Sequence, residues 1–528
     1  MLRPALWMGA LAGASAAWAC GPEPTVVTSG GSDSGASSTG ASETAGSSDG
    51  VDSTGAAETT GMGPVQTCTP GETMPCYDGP ARLVGVGACV AGQYVCQPDG
   101  QTWSECEGQV LPQPEQCTTL ADDDCDTTIW CEPGVAWSWE VDGEITAIAT
   151  DASGNVFVAG SGSASAVIGD QSLADLFVVS FDPQGQFRWG HNIEEFNDQA
   201  ITELAVDAQG SVTVTGTYQS TPDFGDGPLP VAVGTEVFLV RYDNDGVIQW
   251  SRGIDHHAAV DLAVAPEGSI YISGGFIDAD IDGAPVVGDY FVAGFDPQGS
   301  LAWAHAGQGF SAQPPRVAVS ASGTVVLAMQ SGFGMVGLGG VELPLSRPGF
   351  LAWSLEPDGT NIAPSFLGAQ SFVANLVALI PNPTGLQLLA SLQVQLSPYV
   401  FLSSMVRLYM SETLEPVGVQ ETGTALFVTD GAPLPNGHTV IAGTWWEPLE
   451  LGSTTLDNEG RGSSPLLFVV DEDGEGRWAL RGPGGIGDGF DHVATDPTGS
   501  VFVSGRAGSG FEIGGRQVQG SFLLGLVP

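Results

Sequence analysis

Eight cysteines crowd into one short stretch, at Cys68, Cys76, Cys89, Cys96, Cys106, Cys117, Cys125 and Cys131, and none follows. Such a cluster can hold zinc or close into disulfides. The gaps between neighbours are 8, 13, 7, 10, 11, 8 and 6 residues, with no Cys-x-x-Cys pair and no histidine among them, which argues against zinc. An even set in a polar, Gly/Pro-rich piece too small for a strong core points to four disulfides, with the pairing open. Other stretches invite chemistry and lose it in context. GFGMVG (332–337) has the Gly-x-Gly-x-x-Gly spacing of a dinucleotide loop but no helix after it. DADIDGAPVVGD (278–289) imitates a calcium loop through Asp278, Asp280 and Asp282. The same slot elsewhere holds PDFGDG, VGLGG, LELGS and FEIGG, so a β-hairpin turn explains it, with Ile281 matching Phe224, Leu338, Leu451 and Ile513. His191 and His305 both stand two residues after a Trp, so repetition accounts for them, while His256-His257 lies in a loop flanked by Asp255 and Asp261. No His-Glu-x-x-His and no carboxylate pair marks a catalytic centre.

PEQCTTLADDDCDTT (114–128) resembles the metal-binding motif of MopE-type bacterial surface proteins, a Glu-x-Cys…Asp-x-Asp-Cys-Asp pattern. CTPGETMPCYDGP, GVGAC, GQYVC and GQTWSECEG, which precede it, look like the module that accompanies that motif in exported bacterial proteins. The resemblance implies that Asp122, Asp124 and Asp126 are oxygen ligands for a hard cation such as Ca²⁺. The alternative is a solvated acidic loop held by Cys117 and Cys125. Thr118-Thr119 and Thr127 depart from the Asp/Asn-Gly and Gly of the family pattern.

The chain opens MLRPALWMGALAGASAAWACGPEP: one cation, Arg3, then an apolar run from Ala5 to Trp18, which reads as a secretory signal over 1–19. Ala17-Trp18-Ala19 fits ordinary signal peptidase, and Cys20 after it resembles a bacterial lipoprotein site, although Ala17 and Trp18 depart from the usual lipobox. Cysteine parity favours lipidation, because Cys20 is the odd one of nine. Residues 20–64 are nearly all Ser, Gly, Thr, Ala, Asp and Glu and read as a disordered tether. These features predict a bacterial cell surface or outer membrane protein held by its lipid, with plain secretion as the alternative and membrane contact through the anchor alone. Thirteen cations, all Arg, face 61 carboxylates, for a formal charge of −48. That balance excludes nucleic acid as a partner, and the lack of Lys excludes a P-loop and Schiff-base chemistry.

Beyond the Cys-rich segment (65–134) one phrase returns: FDPQGQFRW (181–189), YDNDGVIQW (242–250), FDPQGSLAW (295–303) and VDEDGEGRW (470–478). A second precedes it, as in ITAIATDASGNVFVAG (145–160) and FDHVATDPTGSVFVSG (490–505). Its turn glycines, Gly154, Gly210, Gly268, Gly323, Gly385, Gly437 and Gly499, are spaced 56, 58, 55, 62, 52 and 62 apart. Seven units of two hairpins each, with β-rich runs such as VFVAG and LFVVSF and no helical period, predict an all-β, seven-bladed β-propeller over 135–528. The units resemble the bacterial β-propeller repeat with a D-x-x-G-N-V-Y-V-x-G signature. Units four and five are degenerate: Ala363 stands in the Trp slot and SETLEP in the second turn.

Glycine takes the left-handed turn position, and Trp189, Trp250, Trp303 and Trp478 are expected to pack on the neighbouring blade. Unit seven ends without its fourth strand, whereas VAWSWEVDG (135–143) is a Trp-bearing strand without a blade. Residues 135–141 are therefore expected to close the ring, with Trp137 in the common slot. Function is less legible. Anchor, tether and the absence of catalytic motifs point to a monomeric binding or scaffold module for a surface protein or polysaccharide, with Ca²⁺ the one cofactor implied. The alternative is a propeller enzyme. Asp-x-x-Gly-x-x-x-Trp is similar to the tryptophan-docking repeat of quinoproteins, and a polysaccharide-acting site needs a base and an acid meeting in the channel mouth.

Overall fold

The computed structural model describes residues 68–113, 123, 125 and 133–527, apart from short stretches at 164–166, 169–170, 174, 194–199, 256–260, 282, 310–312, 370–372, 383–384, 398–399, 412, 423–425, 447, 452–453, 457–462, 483 and 486. The leader, Cys20 and the tether lie outside the described residues, as do Cys117, Cys131, Asp122, Asp124 and Asp126.

The Cys-rich segment has little regular structure. Strands Thr73–Cys76 and Gly92–Val95 pair antiparallel, and one 3-10 turn covers Ala81–Leu83. Three disulfides tie it: Cys68–Cys96, Cys76–Cys106 and Cys89–Cys125, with Cα separations of 5.9, 5.8 and 6.1 Å. Cys125 is thus bound back to the preceding module. No helix among the described residues is long and apolar enough to cross a membrane.

Seven antiparallel blade sheets follow, six of four strands and one, blade 3, extended to six by the hairpin Gly334–Leu338/Val341–Leu345 of the next blade. Blade 1 is Gly143–Thr150, Val156–Gly162, Asp175–Phe181 and Phe187–Ile193; blade 2 is Ala200–Val206, Val212–Tyr218, Glu236–Tyr242 and Ile248–Ile254. Blades 3 to 6 repeat the order, beginning at Asp261, Arg316, Val373 and Leu426. Blade 7 takes Gly489–Thr495, Val501–Ile513 and Arg516–Val527 from the chain end and Gly134–Val141 from before blade 1. The first strands of successive blades neighbour one another around a closed ring, and that of blade 7 meets that of blade 1.

Middle strands are buried on both faces, because each blade is covered by the next. All seven residues of Glu236–Tyr242 are buried, as are all seven of Ser464–Val470. This explains their continuous apolar runs, which lack the alternation of a half-wet strand. In five blades the hairpin tip adds a buried plug: Phe224, Ile281, Leu338, Leu451 and Ile513. In blade 3 the strands Ile270–Ile281 and Ala284–Phe295 run straight through the calcium-loop look-alike as one long hairpin, and the Gly283 N–H donates to Asp280 Oδ1. GFGMVG likewise falls in the hairpin Gly334–Leu338/Val341–Leu345.

Each Asp-x-x-Gly turn is closed twice. At Asp151 the Gly154 N–H donates to the backbone oxygen at 3.0 Å, while Oδ1 accepts from Ser153 N–H and Asn155 N–H at 2.8 and 2.9 Å. The side chain replaces ladder partners that the turn removes. Gly154 has φ +79°, where a Cβ is penalised.

Candidate binding site in the propeller channel

The aromatic slot serves packing between blades. Trp137, Trp189, Trp250 and Trp303 each lie against the second-turn glycine of the following blade, namely Gly185, Gly246, Gly299 and Gly359. Their indole N–H groups donate to Pro183 O, Asn244 O, Pro297 O and Pro357 O, at 3.0, 2.8, 3.0 and 2.9 Å. Trp478 occupies the same register and is buried at the blade 6–7 joint, where the chain break removes the second turn.

The residue two places on makes a second tie. Trp139, Arg252 and Ser365 donate to the carbonyls of Gly185, Gly299 and Leu414, and His191 and His305 meet those of Gly246 and Gly359 at 2.6 and 2.8 Å. Each His Nε2 faces a carbonyl, so it carries the proton. Where blade 5 has Gly418 in the Trp slot, Gln420 reaches over instead, facing Gly474 and donating to Glu472 O. Every one of these side chains is committed to the ring. His256 and His257 lie outside the described residues.

A second set of equivalent positions lies on the innermost strands, seven residues before each marker glycine: Ala147, Glu203, Asp261, Arg316, Ala378, Asp430 and His492. Their partners on the second strands are equivalent too: Ala159, Thr215, Ser273, Ala328, Leu389, Ala442 and Ser504. In blades 1, 2, 5, 6 and 7 a β-bulge sits just before this residue. Bulges re-aim side chains where a strand lies next to a cavity. Five of the seven residues are ionisable, and their fields meet across the channel: Glu203 in blade 2 senses Asp261, Arg316 and Asp430 in blades 3, 4 and 6.

Arg316 Nη1 pairs with Asp261 Oδ1 at 2.7 Å, and Asp261 Oδ2 accepts the Val317 N–H at 2.6 Å. That carboxylate holds the Arg316 guanidinium above its ordinary range. Across the ring, His492 Nδ1 stands 4.0 Å from Asp430 Oδ2, which also accepts the Val493 N–H at 2.9 Å. Burial pushes the Asp430 carboxyl up, opposed chiefly by His492. Glu203 accepts only the adjacent Leu204 N–H, at 3.3 Å, and has no side-chain partner among the described residues. Burial first, then the charges of Asp261 and Asp430, raise it to about 8 against the opposing pull of Arg316.

Two hollows flank this level. One of about 300 Å³ is lined by Thr202, Glu203, Asp261, Gln313, Pro314, Pro315, Arg316 and Leu376. At the other end of the inner strands the first turns of all seven blades surround a basin of about 660 Å³, walled by Pro266, Pro381, Pro433, Pro435 and Pro497. The ionisable ring was not singled out from the sequence, although the column seven residues before each marker glycine carries it. There the repeat stops repeating, and side chains that differ between structurally equivalent positions are not explained by the shared fold.

No family model matches the chain. A curated relative, an uncharacterized WD repeat-containing protein of Acanthamoeba polyphaga mimivirus, is 28% identical over 159 residues, which are 25% of this chain and 11% of that protein. The chain therefore spans about a tenth of that relative's length. Among solved structures, the Dos1 propeller has a TM-score of 0.39 at 9% identity, covering 75% of this chain and 94% of that one. The polysaccharide lyase Uly1 has 0.38 at 10%, covering 81% and 94%. A glucose dehydrogenase has 0.33 at 10%, covering 75% and 99%. Enzymes and a protein with no activity in its name thus stand side by side. The propeller itself is read from the seven sheets, and these likenesses say nothing about ligand or reaction.

Proposed function

We propose that this chain is an exported bacterial surface protein, anchored through a lipid on Cys20, whose propeller is a binding module with its site in the channel. The observation that carries the reading is the division of labour among equivalent positions. The Trp slot and the position two after it are spent on blade packing, whereas the channel position carries Glu203, Asp261, Arg316, Asp430 and His492 in place of one repeated residue. A convergent polar set beside a hollow, here Glu203, Asp261 and Arg316 on its wall, is what a small ligand site requires. The partner proposed is a surface polysaccharide or protein, met by a monomer.

The test uses the full chain. Retention of surface glycans and extract proteins is compared between the parent and an Asp261→Asn/Arg316→Gln double variant, which removes an ion pair without stranding either charge. Equal retention places the site elsewhere. Cys20→Ser is expected to move the protein from the membrane fraction to the medium, and equal membrane association defeats the anchor. Asp122, Asp124 and Asp126 remain the proposed Ca²⁺ ligands of the Cys-rich segment, and changing all three to Asn is expected to abolish a calorimetric Ca²⁺ signal.

One observation favours a second reading, an acid–base enzyme at the channel mouth. Glu203 holds its proton near neutrality opposite the Asp430–His492 pair, the separation of roles that general acid catalysis needs. Turnover of acidic polysaccharide that is lost in Glu203→Gln supports it, and its absence leaves binding alone.

A further inference from the structure

We propose that the channel accepts the ammonium group of an amine ligand beside Glu203, in the hollow walled by Pro314, Pro315 and Leu376. The proposal rests on the reading of the channel as a binding site and names the ligand class that the site fits.

The ionisable ring contains three carboxyl groups, one guanidinium and one imidazole. Arg316 lies on Asp261 at 2.7 Å, and the His492 ring faces Asp430 at 4.0 Å. Asp261 and Asp430 are further satisfied by backbone N–H donors from Val317, Val493 and Gly431. Glu203 is the acid left over. On one side blade 1 presents Ala147, which brings no charge, and on the other blade 3 presents Asp261, which brings the wrong one. Among the described residues Arg316 is the single cation whose field reaches Glu203 favourably, and its hydrogen bond goes to Asp261. A half-buried carboxylate beside Asp261, with no side-chain partner among the described residues, is costly, which favours the protonated form until a counter-charge arrives.

The sign of the missing charge decides the ligand. An anion would meet three carboxyl groups and an arginine that is already paired. A metal ion would need a coordination shell, and among the described residues no group of three His, Cys, Asp or Glu side chains is close enough to hold one. An alkylammonium needs one ionised acceptor and a wall to lie along, and the hollow of about 300 Å³ beside Glu203 offers Pro314, Pro315 and Leu376 as that wall. Binding is an exchange: the Glu203 O–H bond breaks, its proton leaves to solvent, and the carboxylate formed pairs with the entering R–NH₃⁺. Net charge in the channel is unchanged.

Calorimetric titration of the full chain with spermidine tests this, in 150 mM salt to screen the general attraction of an acidic protein. Runs at pH 6.5, 7.5 and 8.5 in buffers of different ionisation enthalpy report protons released. The expected result is one site, about one proton released at pH 6.5 and fewer at 8.5, and affinity rising up to about tenfold per pH unit toward 8. Glu203→Gln, with its melting temperature checked against the parent, is expected to lose at least tenfold in affinity together with the proton release. Asp358→Asn, in an exposed turn, is expected to change neither. No binding, many weak sites that vanish with salt, or proton release unaffected by Glu203→Gln each overturns the proposal. If spermidine fails while Asp261→Asn/Arg316→Gln still abolishes retention of surface material, the channel stands as the site and only the amine is wrong.

Discussion

Trp137 lies flat enough on Gly185 that a Cβ on the glycine would come within 2.5 Å of the indole, and its N–H donates to Pro183 O at 3.0 Å. These two residues belong to different blades, 7 and 1, so the contact is the clasp of the ring. Trp137→Ala is expected to cost roughly 3–5 kcal/mol, as for other buried Trp truncations. Gly185→Ala adds a backbone penalty at φ +77° to the loss of the same contact. In a double-mutant cycle by urea unfolding the pair should be less destabilising than the sum, because each change breaks one shared joint. Strict additivity would mean that the clasp does not couple them.

The joint between blades 4 and 5 is built differently. Ala363 replaces the Trp, and the left-handed turn position of blade 5 is Leu414, at φ +57°. At this joint neither the Trp nor the turn glycine is present. Leu414 is 1% exposed and packs in the apolar cluster between these blades, so burial offsets the strain of its backbone. Leu414→Gly relieves about 1–2 kcal/mol of strain but forfeits roughly 2–5 kcal/mol of core packing. A net loss of stability is expected, measured by thermal or urea melting, and a more stable variant would falsify this ranking of the two effects.

Six of the eight clustered cysteines are accounted for by three bridges. Peptide mapping without reduction is therefore expected to return those three and, by elimination, Cys117–Cys131. In the chain-entropy account loops of 28, 30 and 36 residues contribute about 3–4 kcal/mol each. Reduction should accordingly make this segment protease-sensitive while the β-rich circular dichroism of the propeller persists. Free thiols in the unreduced protein would reject the pairing.

The Glu203 carboxyl is raised in the folded protein, from an ordinary value near 4.5 to about 8. The folded state therefore binds more protons than the unfolded one between these pH values, and stability falls as pH rises through that window. Below it the group contributes its full share. Glu203→Gln is expected to flatten the decline and to exceed the parent by roughly 1–3 kcal/mol at pH 9 in urea melts, after allowance for partial solvation of the channel. Parallel stability–pH curves for the two proteins would contradict the placement of Glu203.

Seven turn glycines at near-constant spacing, four β-rich runs per unit and a spare Trp strand before unit one were enough to read the seven-bladed ring and its closure. They suffice because each blade solves the same local problem, and local solutions leave local marks: a left-handed turn demands glycine, and a strand covered on both faces demands an unbroken apolar run. The commitment of His191 and His305 to the next blade's turn is half legible, since their spacing shows equivalence but not the carbonyl each one meets.

The channel is another matter. Glu203, Asp261, Arg316, Asp430 and His492 stand tens to hundreds of residues apart, on strands whose order in space follows only from closing the ring. Nothing local tells Glu203 that Asp430 faces it across the axis. Composition set the sign of the net charge, and repetition set the architecture. Which acid lacks a partner was decided by the tertiary structure, because charge compensation acts through space over a few ångströms and is indifferent to separation along the chain.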